Sequence, residues 1–175
     1  MKIDFLVKGD RRITKKKSPE VDLFRIFHVE YVEKSALIMN PILMEFQRAY
    51  DKIALNPEKL PEIANVINFA LRNHHYAMGC PIFYSTLVKY LERTVQKENT
   101  NDIYIKISYL YENGLLPHRL TASSSEEESR ARKILGKMLE YASGKSPELP
   151  SEFSSNYMLK FGKWLDNLCR ENNLC

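Results

Sequence analysis

The residues of this sequence best suited to chemistry are cations. Lys8, Arg11, Arg12, Lys15, Lys16 and Lys17 crowd one short stretch near the N-terminus. Lys and Arg hold phosphate by charge and by releasing counterions, without reading base sequence, and the same composition suits a nuclear-import signal. The positive excess is local: residues 1–17 hold seven cations against Asp4 and Asp10, more than the +4 of the whole chain, so residues 18–175 sum to −1. The plain alternative is a solvated terminus. Tyr104, Tyr109 and Tyr111 near Lys106 offer rings on which bases stack, although tyrosines at helical spacing more often serve a core.

Metal and catalytic chemistry find less support. Adjacent histidines point apart on a helix, so His74 and His75 with Cys80 form a poor ligand set and read as a polar helix end. His28 and His118 have no neighbours that suggest catalysis. G-x-S-x-G, H-E-x-x-H, Walker A and G-x-G-x-x-G patterns do not occur. Glu126, Glu127 and Glu128 are explained by a helix dipole. The expectation is a non-enzymatic protein with no catalytic residues, no metal, no cofactor and no small-molecule substrate. Ser123, Ser124 and Ser125 each precede a Glu by three residues, and Ser18 precedes Pro19; kinases read such patterns, while ordinary helix capping accounts for them too.

The elements that would position these groups read mainly as helices. Residues 81–96 set Phe83, Leu87 and Leu91 on one line, with Gly79 and Pro81 at the start, and form the expected central helix. Residues 61–73 and 123–142 carry similar stripes, and Ser123–Ser125 followed by acids punctuates the second. Residues 151–170 place Phe153, Tyr157, Phe161, Trp164 and Leu168 on one face. Asn40-Pro41 opens a stripe through Ile42, Phe46, Ala49 and Ile53, which predicts a helix to about Leu55. Two stretches fit both periods. In residues 21–33 Phe27, Val29 and Tyr31 alternate with His28 and Glu30 as in a strand, yet the Ser18-Pro19-Glu20 entry favours a helix; in residues 103–111 the Asn113-Gly114 terminator favours a helix.

The expected fold is therefore all-α, a bundle of six to seven helices over residues 18–175, preceded by a basic arm or small β-hairpin over residues 1–17. A chain of 175 residues buries a core unaided. Three cysteines, Cys80, Cys169 and Cys175, make an odd count without a C-x-x-C pair and suit reduced thiols in a cytoplasmic or nuclear setting. No apolar run nears the roughly 18 residues of a membrane span, and the start lacks the form of a signal peptide.

Function follows from surfaces. Phe153, Tyr157, Phe161 and Trp164 are of the types that dominate interfaces, which points to a helical protein–protein interaction module of adaptor or regulatory type, able to self-associate. The alternative is an RNA- or DNA-associated protein that holds the phosphate backbone through Lys8, Arg11, Arg12, Lys15, Lys16 and Lys17.

Overall fold

A computed structural model describes residues 24–35, 38–73, 79–98, 101–117, 125–146 and 155–174. Arg25–Ser35 (β1) and Ile38–Ala49 (β2) pair antiparallel as a two-stranded sheet, and Asp51–Leu55 forms a 3-10 turn. Five α-helices follow among the described residues: Leu60–Asn73 (α1), Pro81–Val95 (α2), Ile103–Glu112 (α3), Ser125–Ala142 (α4) and Ser155–Glu171 (α5). The protein is thus mixed in class, and the all-α bundle of six to seven helices is corrected.

Two stretches account for the difference. Phe24 sits at φ 63°, a left-handed conformation that a helix across residues 21–33 would not contain. Beyond it the β-favouring Ile26, Phe27, Val29, Tyr31 and Val32 take the strand alternative in place of the predicted helix. Residues 40–55 form most of β2 and the 3-10 turn, not a helix. Pro41 faces Tyr31 at a register shift that leaves Ile42 without a partner. Both strands of a two-stranded sheet are edges, which is where a residue without an N–H is tolerated.

The described residues divide into two compact units, one containing the hairpin and running to Pro61, the other formed by Glu62–Asn73 and the residues from Gly79 onward. In the first unit, the Arg25 guanidinium grips both carboxylate oxygens of Asp51 at 3.1 and 3.2 Å, and the Tyr50 N–H donates to the Phe24 carbonyl at 2.9 Å. These bonds lock the foot of the hairpin to the 3-10 turn. The predicted division at residue 17 lies outside the described residues.

In the second unit α3 is the hub, packing on α2, α4 and α5 and reaching α1 through the rings of Tyr109 and Phe69, 5.5 Å apart. It buries Ile103, Tyr104, Ile105, Ile107, Ser108, Tyr109 and Leu110, so it is covered on nearly every side. The helix expected at the centre, α2, lies against it with Phe83 and Leu91 buried. Tyr109 also meets Phe83 edge-on at 5.4 Å and donates its hydroxyl proton to the Asn73 carbonyl, which joins three helices at one side chain. The buried hydroxyls of Thr86, Thr94 and Ser108 donate to carbonyls of their own helices.

Four helices stop in the same way. After α2, α3, α4 and α5 one residue turns left-handed (Lys97, Gly114, Gly144 and Asn173), and the next N–H returns to a carbonyl five residues back. Gly and Asn tolerate this geometry; Lys97 adopts it against its preference.

Candidate interaction surface

The hairpin contributes no buried side chain among those described, while every described residue of the buried apolar core lies at Tyr50 or beyond. Strand alternation and register place Phe27, Val29 and Tyr31 of β1 with Met44 and Phe46 of β2 on one face. The rings of Phe27 and Phe46 meet edge-to-face at 5.9 Å, yet Phe46 remains 54 % exposed. Between Phe27 and Tyr31 that face carries no charge. The opposite face shows His28, Glu30 and Glu45 alongside Val32, with His28 Nε2 3.8 Å from Glu30. Ile42, at the bulge, is 67 % exposed. This surface is hidden in the sequence because both strands also fit helical spacing, which puts their apolar residues in a core; the alternation of residues 27–31 is the signal for it.

Of the predicted partner-binding line, the structure brings together Phe161 and Trp164, whose rings lie 5.3 Å apart and are half-buried on α5. What α5 fully buries is the neighbouring line of Leu165 and Cys169. Gly162 lets the helix approach α3, since a Cβ there would sit 3.2 Å from Ile103 Cδ1. Phe153 lies outside the described residues, and the side chain of Tyr157 does too. The six basic positions Lys8, Arg11, Arg12, Lys15, Lys16 and Lys17 also lie outside them, as do His74, His75, His118, Ser123 and Ser124.

The tyrosines near Lys106 are not a stacking platform: Tyr104 and Tyr109 are core residues, and only Tyr111 of the three is exposed. Lys106 itself is held by Asp102 at 2.6 Å and by Asp166 of α5 at 2.7 Å. A cleft of about 410 Å³ between α1 and α3 includes Asn65, Asn68, Arg72, Asp102 and Lys106 in its wall, but the lysine and its carboxylate are already paired. The thiols are poor nucleophiles. Burial pushes Cys169 up to about 11, and burial, then the nearby Glu112, raises Cys80. Among the described residues no three His, Cys, Asp or Glu side chains group as metal ligands, and no helix is long and apolar enough to cross a membrane.

No protein family model matches this sequence, and no curated protein or solved structure matches it either.

Proposed function

We propose that this chain is a non-enzymatic protein–protein interaction module, adaptor or regulatory in kind, acting in the cytoplasm or nucleus. The observation behind this reading is the hairpin: two long strands rich in Phe, Val, Met and Ile, with no described side chain buried. Two strands alone are marginal in water, and an apolar ribbon of this kind gains most from a covering layer supplied by a partner. The aromatic pair Phe161 and Trp164 on α5, with Phe153 and Tyr157 of the same predicted line, is a second contact point in the proposal. Quantitative capture of binding proteins by wild type, Phe46→Glu and Trp164→Ala baits tests it. A loss of about tenfold with Phe46→Glu is expected, and an unchanged set of captured proteins from folded Phe46→Glu contradicts the hairpin's role.

A nucleic-acid role is the second reading, and one further observation favours it. Lys160, Lys163 and Arg170 are exposed on α5 at helical spacing, and none of them makes an ion pair among the described residues. With the basic stretch of residues 8–17 they supply phosphate contacts without base readout. Salt-titrated binding of generic RNA and DNA by the full chain and by a version beginning at Ser18 separates the readings; equal affinity removes the N-terminal cations from the account.

A further inference from the structure

We infer that the cleft between α1 and α3 is a binding site for a small organic carboxylate, one negative charge carried on an apolar body. This goes beyond the interaction-module reading, and neither depends on the other. The cleft has a volume of about 410 Å³, within the range of about 300–1,000 Å³ that holds small molecules. Its floor is apolar, formed by the otherwise buried side chains of Val66 and Phe69 on α1 and Ile105 on α3.

One wall belongs to α1. Asn68 and Arg72 follow Asn65 by three and seven residues, so the three share one face of the helix over about 10 Å of its length. All three are exposed, and none of their side chains makes a hydrogen bond or ion pair among the described residues. A row of unpaired polar groups over an apolar floor is the composition of a ligand site, in which few polar contacts orient a mostly apolar molecule.

The opposite wall decides the charge. There the Lys106 ammonium holds Asp102 at 2.6 Å and Asp166 at 2.7 Å, so its own charge is more than cancelled. Arg72 is left as the lining cation without a counter-ion among the described residues. Its planar guanidinium matches a carboxylate through two parallel N–H bonds. A phosphate monoester presents the same fork but carries close to two charges at neutral pH, and the second would face Asp102. A monoanion therefore fits better than a dianion. The carboxamides of Asn65 and Asn68 supply donors to a polar group beside the charge, and the apolar body lies over Phe69 and Ile105.

Titration of the full chain with phenylacetate, followed by NMR through the side-chain and backbone amide signals of Asn65 and Asn68, tests the inference. Phenylacetamide has the same body without the charge, and phenyl phosphate at about pH 7.5 brings the dianion. Saturable shifts confined to residues of the cleft are expected for phenylacetate, with Kd of about 1–10 mM for so small a molecule. Affinity should fall about tenfold for phenylacetamide, for phenyl phosphate and in Arg72→Gln, and about threefold in Asn68→Ala. Lys133→Gln, which removes an equal charge at an exposed position of α4, should leave it unchanged. Asn68 and Arg72 are exposed, and unchanged signals away from the cleft show that each variant is folded. No saturation by about 20 mM phenylacetate, or shifts spread evenly over exposed residues elsewhere, overturns the inference. So does equal affinity for phenylacetamide or in Arg72→Gln, or tighter binding of phenyl phosphate.

Discussion

The carboxylate of Glu112, at the end of α3, accepts the backbone N–H of Phe83 at 2.8 Å in the first turn of α2. Its other oxygen takes the N–H of Ile82 at 3.0 Å. Pro81 has no N–H to offer, so one side chain from a neighbouring helix satisfies two of the donors a helix start leaves open, and its charge lies at the positive end of the dipole. Glu112→Ala is expected to cost about 1–2 kcal/mol in urea unfolding, and Glu112→Gln distinctly less, because the amide still accepts one bond. Equal stability of the alanine variant would mean that the cap contributes nothing.

Lys97 and Gly144 occupy the same cap position after different helices, at φ 60° and 76°. Lys97→Gly should relieve the left-handed strain and raise stability by up to about 1 kcal/mol. Gly144→Ala should lose about 1 kcal/mol by creating the same strain. The new Cβ would also lie 2.7 Å from Lys89 Cε, which a flexible side chain can vacate. Opposite signs of the two shifts in unfolding midpoint are the check.

Alkaline pH should weaken the helical unit. Burial raises Tyr104, Tyr109, Cys80 and Cys169. Burial works against the charge of Lys106, but hydrogen bonds from its ammonium to Asp102 and Asp166 outweigh it and raise this group as well. Every shift is upward, so the folded chain holds more protons than the unfolded one over this range. The associated stability is fully present below the unfolded values, about 8.5 for Cys and about 10 for Tyr and Lys, and is lost above them. Urea midpoints should be flat to about pH 8, then fall, more steeply past about pH 10. A midpoint that rises between those limits would contradict the sign.

The five helices were legible because their signals are local. Ile63 and Val66 in α1, or Ile134 and Met138 in α4, repeat at helical spacing, and Gly114 and Gly144 mark ends. The hairpin was not, because its evidence is shared between strands that meet only in the fold. Asn40-Pro41 carries the chemistry of a helix start, and only the pairing of Pro41 with Tyr31 shows it as an edge-strand proline beside a bulge. The candidate surface is hidden with it, since Phe46 and Ile42 read as core on a helix. On α5 the pattern found the right helix but chose the line of Phe161 and Trp164, one step around from the buried Leu165 and Cys169.

The Lys106 bridge joins α3 to α5 through Asp166 at 2.7 Å while Asp102 holds it from its own helix. Asp166→Asn should cost less than about 1.5 kcal/mol, because Asp102 keeps the ammonium paired, whereas Lys106→Met should cost more, because two carboxylates lose the cation they share. Urea midpoints of the three proteins at pH 7 decide it.

The claim on which the functional account depends is that Phe46 meets another polypeptide. Installing a photo-crosslinking amino acid at position 46 of the full chain and mapping the adducts tests it most directly. Adducts joining position 46 to another polypeptide are expected. Adducts confined to the chain's own residues would contradict it, because the ribbon would then be covered from within.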